Sequence, residues 1–340
     1  MWIDDARKVP VFDNIDRARF EAEILPLQKP AILRGAVKSW PAVKLGQHSP
    51  EALCDYFKQR ASDRKLLLQS APPEIDGRYS FSDDLKGLNH QQRQLPFSAI
   101  SDLIMRDRDV AGAPCHYAGG IPVDHVMPAV LSDNMNSLVD PTRYRQVSLW
   151  IGNRTRTAAH WDLPQNFACV VAGKRRFTLF PIEQVGNLYI TPLDMTLAGQ
   201  PTSLVDFHNP DFDTYPRFRN AMANAEVADL EPGDVLYLPS LWFHHVESLE
   251  SFGAMINFWW RDGPGYLTTP LLTLLHGLLT IRDMPLAERM RWRTLFDHYI
   301  FQPEGEALAH IPQAARGLFR TMNADIEKEL KTYLIQTLSR

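Results

Sequence analysis

The chain has 340 residues, 45% of them hydrophobic and 10% aromatic, and a net charge of -4. That suits one large domain with an appendage, or two ordinary domains, each with a real core. No polybasic run advertises a large nucleic-acid footprint, although a local basic patch stays open, and no run of about 18 apolar residues exists to span a membrane.

The N-terminus, Met1-Trp2-Ile3-Asp4-Asp5, lacks the cationic start and apolar stretch of a signal peptide. Cys54, Cys115 and Cys169 lie far apart without CxxC spacing. Neither a disulfide framework nor a zinc site is expected of them, and a cytoplasmic location is. Pro30 to Gly35 reads as a buried strand ending in a turn. Ser49 is placed to cap a helix with Pro50 at its first position and Leu53, Tyr56 and Phe57 on one face. The polar, mixed stretch 70–112 predicts a helix-and-loop insert.

From about Cys115 to Trp260 the signal is dominantly β. Val147, Leu149 and Ile151 alternate with Gln146, Ser148 and Trp150, and Phe177 and Leu179 with Arg176 and Thr178. The 25 prolines are spread among short apolar runs, as in a sandwich or barrel. After Gly265 the texture becomes helical. Leu271 to Leu275 opens a helix so apolar that burial on the barrel or on a second subunit is expected. Leu318, Phe319, Met322, Ile326, Leu330 and Tyr333 recur at helical spacing. His276 reads as a packed core residue, and His90, His298 and His310 as surface positions.

Candidate chemistry begins at His160-Trp161-Asp162. On a strand, residues two apart share a face, so an imidazole and a carboxylate converge. With eleven histidines in the chain, one His-x-Asp is nearly expected by chance and carries little alone. The second element is a histidine of Trp242-Phe243-His244-His245-Val246, after the turn Glu231-Pro232-Gly233-Asp234. Two imidazoles and a carboxylate form a facial triad that suits Fe(II) and leaves positions for a bidentate 2-oxo acid and dioxygen. The same donors also serve zinc hydrolases. Arg175 shares a strand face with Phe177 and Leu179, where a buried cation could hold a cosubstrate carboxylate. Asn166 and Asn257 lie in otherwise apolar strands and need partners. His208 reads as a loop residue.

These residues carry a resemblance. His160-Trp161-Asp162 with Gln165-Asn166-Phe167, Gly173-Lys174-Arg175-Arg176, Trp242 to Ser248 and Asn257-Phe258-Trp259 resemble the Jumonji C and cupin-like hydroxylases, among them the asparaginyl hydroxylases. The likeness covers roughly residues 20–262. It implies a mainly β protein with α elements: a double-stranded β-helix (cupin, jelly-roll) with N-terminal α/β elaboration over 1–262, and a C-terminal helical dimerisation region over 263–340. It implies iron on His160, Asp162 and His244. It also implies 2-oxoglutarate held by Thr157, Arg175 and Tyr117 at its far carboxylate and by Asn166 and Asn257 near the metal. The family usually has lysine where this chain has Arg175.

The expected activity is hydroxylation of a substrate C–H bond, a protein or peptide side chain foremost, with O2 consumed and succinate and CO2 released. Three rivals stay open: a cupin metal hydrolase or isomerase, a non-catalytic metal-binding module, and an RNA-modifying oxygenase similar to the tRNA wybutosine hydroxylase. The acidic net charge weighs against the last.

Overall fold

The computed structural model describes residues 2–82, 84–197, 199–301 and 308–338. The chain divides into two units, Met1–Arg261 and Asp262–Arg340. Among the described residues fifteen strands form, all in the first unit: β1 (Arg7–Lys8), β2 (Val11–Asp13), β3 (Ala31–Arg34), β4 (Lys65–Ala71), β5 (Arg78–Tyr79), β6 (Gln91–Pro96), β7 (Cys115–Pro122), β8 (Tyr144–Gly152), β9 (Arg156–Trp161), β10 (Gln165–Ala172), β11 (Arg175–Phe180), β12 (Glu226–Leu230), β13 (Val235–Leu238), β14 (Phe243–Ser248) and β15 (Gly253–Trp260).

They make two sheets. One runs β1-β12-β11-β14-β9-β5, the other β2-β3-β13-β10-β15-β8-β7-β4-β6. From β8 to β15 the chain crosses between the sheets at every step except β11 to β12, which pair with each other. This crossing is the winding of a jelly roll, and the fold is the mainly β architecture expected.

Side-chain alternation sorts the apolar residues into three layers. Between the sheets lie Ala168, Val170, Phe177, Leu179, Leu236, Leu238, Val246 and Met255. Behind the nine-stranded sheet the odd-numbered residues Val147, Leu149 and Ile151 pack with Phe167, Phe258, Trp260 and the N-terminal helices. Behind the six-stranded sheet Ala159, Phe180 and Phe243 are covered by Phe207 and Phe218 of the segment between β11 and β12. Each fully buried Leu or Phe contributes roughly 1.5–3 kcal/mol. Gly173 turns β10 into β11 at φ +69°, and a Cβ there would lie 2.2 Å from the Phe252 carbonyl oxygen.

The helix Pro50–Lys58 starts where expected, with Ser49 accepting from the Ala52 N–H. The stretch 70–112 differs from expectation. Its ends are β4, β5 and β6 in the sheets, and a helix runs Phe97–Asp107. β6 is an edge strand whose Gln91-Gln92-Arg93-Gln94 are all exposed, so no apolar alternation marks it. His90 is buried against the Tyr79 ring and is not a surface residue.

The second unit carries the helices Leu271–Thr280, Leu286–Phe296 and Ala324–Leu338. In the single chain the first of these buries no residue; a second-subunit contact, and not the single chain, would supply that burial, and His276 is exposed there and is not a core residue. No described helix is long and apolar enough to cross a membrane.

Candidate metal centre

β9 and β14 are adjacent antiparallel strands with His160 paired to His244. The two imidazoles and the Asp162 carboxylate each offer one atom within 4.8 Å of the others. The ring centroids are 4.2 Å apart, and His244 Nε2 lies 3.8 Å from Asp162 Oδ2. Each Nδ1 meets a backbone carbonyl, Ala158 O at 2.9 Å for His160 and Trp242 O at 3.1 Å for His244. With Nδ1–H donating, both Nε2 lone pairs are free to bind a metal. Burial, then the neighbouring His160, lowers the His244 pKa to about 4, so the imidazole is neutral at physiological pH. Trp259 Nε1 donates to Asp162 Oδ2 at 3.2 Å and orients that carboxylate. Donor types and free lone pairs together fit a divalent metal held on one face.

Below the triad the chamber turns cationic. Arg175 is 2% exposed, its Nε has no hydrogen-bond partner, and it makes no ion pair among the described residues. Burial lowers its pKa, and the nearby Tyr117 phenol opposes that. Burial raises the Tyr117 pKa, with the Arg175 charge and the Thr157 hydroxyl acting against it. So Tyr117, Thr157 and Arg175 converge. Asn257 Nδ2 donates to Asn166 Oδ1 at 2.8 Å, and Asn257 Oδ1 is buried without a partner. An unpaired buried cation is costly, and the carboxylate of a bound dicarboxylate would answer it.

The convergence of Thr157 with His160 needs explanation, since residues three apart on a regular strand face opposite ways. The ladder supplies it. His160 pairs with His244 but Thr157 pairs with Val246, so β9 holds one extra residue there. This bulge turns Thr157 to the inner face. The Ala159 carbonyl at the bulge accepts from the Ser203 N–H at 2.7 Å.

The other imidazoles nearby lie outside this constellation. His245 points to the opposite face of β14 and stacks on Phe207 with ring centroids 4.6 Å apart. His208 sits half-buried in a loop with its Nε2 against the Glu247 carboxylate. Lys174 is at the surface, paired with Glu231 at 3.0 Å. Sequence reasoning missed Trp150. It lies between the sheets beside Tyr117 and Trp259 with a buried, unpartnered Nε1. The signal was there in β8, where Gln146, Ser148 and Trp150 alternate with the outward-packed Val147, Leu149 and Ile151.

Comparison with known proteins agrees with this architecture. The chain is 27% identical over 280 residues to the tRNA wybutosine-synthesizing protein 5 of Gallus gallus, covering 76% of this chain and 79% of that one. It is 24% identical to the Lysine-specific demethylase JMJ31 of Arabidopsis thaliana, over 75% of this chain and 50% of that protein. It is also 24% identical to the Lysine-specific demethylase 8 of Xenopus tropicalis, over 76% of this chain and 54% of that protein. The chain thus spans about half the length of each of these two demethylases. Residues 17–266, which hold nearly all of both sheets and the whole triad, match the cupin-like domain, and the chain belongs to that family.

Proposed function

We propose that this chain is an Fe(II)- and 2-oxoglutarate-dependent oxygenase that hydroxylates a substrate C–H bond. One observation carries the reading: a three-donor metal face and a buried arginine without a carboxylate partner line the same chamber. The triad alone would serve a hydrolase equally well, and the buried cation is the feature that a dicarboxylate cosubstrate requires.

His160, Asp162 and His244 would hold the metal. Fe(II) bound there with 2-oxoglutarate would supply oxygen activation, coupled to release of succinate and CO2. The residues of the chain supply geometry. Nδ1 hydrogen bonds fix both imidazoles, and the Trp259 indole fixes Asp162. Arg175, Tyr117 and Thr157 bind the far carboxylate; arginine can grip it through two parallel N–H bonds where lysine offers a point charge. Asn166 and Asn257 orient the metal-proximal end. The inner apolar layer keeps water from the reacting centre.

Purified protein given Fe(II) and 2-oxoglutarate should release succinate, faster with substrate, and His160→Ala should abolish both metal binding and release. Activity surviving that change defeats the reading.

For the substrate, a protein side chain is favoured, and the three free cysteines accord with a cytoplasmic setting. The likeness to tRNA wybutosine-synthesizing protein 5 favours RNA as a second reading. Succinate release with peptide pools against total tRNA separates the two, and RNA binding should weaken steeply with salt if the second is right.

A further inference from the structure

We propose that Trp150 is an additional binding residue for the cosubstrate, its indole N–H donating to the far carboxylate of 2-oxoglutarate. This rests on the oxygenase reading above and adds a contact to it.

Three observations place the indole. First, Trp150 lies on the inner face of β8, opposite Met255 of β15 and packed on the layer between the sheets. Second, its orientation is fixed. The benzo edge lies on Gly119, where an added Cβ would come within 2.6 Å of Cε3 and Cζ3. The Nε1 edge is therefore the one turned away from Gly119. Third, that Nε1 is buried and has no hydrogen-bond partner. Buried indole N–H groups normally find one.

The neighbours say which end of a ligand it would meet. Trp150 stacks on Tyr117 with ring centroids 6.1 Å apart and an interplanar angle of 29°. Tyr117 in turn interacts with Thr157 and Arg175. Arg175 Nε is the second buried donor without a partner in this chamber. Two unanswered N–H donors around one tyrosine call for an acceptor with two oxygens, and a carboxylate is that acceptor. Trp259, at the metal level, meets Trp150 edge-on at 6.0 Å and uses its own N–H on Asp162, so it does not compete.

The test uses the full chain loaded with Mn(II), which does not turn over. Calorimetric titration with 2-oxoglutarate is compared with pyruvate, a 2-oxo acid that lacks the far carboxylate. Trp150→Phe keeps a ring on Gly119 and removes the N–H. It should weaken 2-oxoglutarate binding about tenfold while leaving pyruvate and Mn(II) affinities unchanged. Gly119→Ala, which displaces the indole and keeps its N–H, should give the same selective loss and serves if Trp150→Phe fails to fold. Unchanged 2-oxoglutarate affinity in the variants overturns the proposal. So does an equal loss for both oxo acids, which would make the indole a wall of the chamber. Failure of the Mn(II)-loaded wild-type protein to bind 2-oxoglutarate at all would instead overturn the oxygenase reading beneath it.

Discussion

Arg175 is buried, and among the described residues no anion pairs with it, which has an energetic consequence. A charge taken from water without compensation destabilises the fold that holds it. Replacing it with a residue of similar length and no charge should therefore strengthen the empty protein. Arg175→Met should raise the urea-unfolding free energy of the metal-free protein by about 1–3 kcal/mol. The same variant should lose the further rise in melting temperature that 2-oxoglutarate adds to the Mn(II)-loaded wild type. A variant less stable than wild type would mean that the guanidinium has an internal partner. His90 makes a second prediction at this scale. Burial lowers its pKa from 6.5 to about 4, so the folded protein favours neutral His90. Its stabilisation is complete above pH 6.5 and is lost as pH falls from 6.5 through about 4, because the unfolded chain takes up the proton first. The loss is on the order of 2–3 kcal/mol. Melting curves between pH 7 and 4 should show a shallower fall for His90→Gln. Arg175 was legible in the sequence because strand parity alone put it with Phe177 and Leu179. His90 was not, since it lies in a bend and the Tyr79 ring that buries it comes from β5.

At the scale of elements, the site depends on two irregularities. One is the bulge in β9 that brings Thr157 onto the face of His160. The other is the turn between β13 and β14, where Leu241 adopts φ +66° and its N–H donates to Asp162 O at 2.9 Å. Ser240 Oγ donates to Leu163 O, so the turn is fastened to the loop that carries a metal donor. A leucine in the left-handed region is strained by roughly 1–2 kcal/mol. Asparagine tolerates that conformation, so Leu241→Asn should raise stability by about 1 kcal/mol in urea unfolding. No change, or a loss, would show that the exposed leucine side chain contributes packing that offsets the strain. Regular elements were readable from local signals, as with the Ser49 cap and the alternation of β8 and β11. The bulge was not, because an extra residue in β9 is defined by its pairing with β14 and leaves no local mark. β6 escaped for a related reason: an edge strand with both faces wet has no period to read.

At the scale of the whole molecule, the first unit holds nearly all the buried apolar residues, and the helices of the second expose theirs. Leu272, Leu274, Leu279, Leu286, Ile335 and Leu338 are all more than 45% exposed in the single chain. The helix Leu271–Thr280 has ten residues, too few to hold itself in water by propensity alone. Contiguous exposed leucines of this kind mark an interface more often than a free surface. We propose that a second copy of the chain covers them, giving a homodimer through the C-terminal helices. Sedimentation at micromolar concentration should then report twice the chain mass of 38.8 kDa. Leu272→Lys with Leu279→Lys should shift the protein to monomer and lower its melting temperature, because desolvating an ammonium in the interface costs far more than burying a leucine gains. A wild-type monomer at that concentration defeats the dimer, and a dimer that survives both lysines places the interface elsewhere. Either result leaves the metal site intact as a hypothesis, since all three of its donors lie within the first unit.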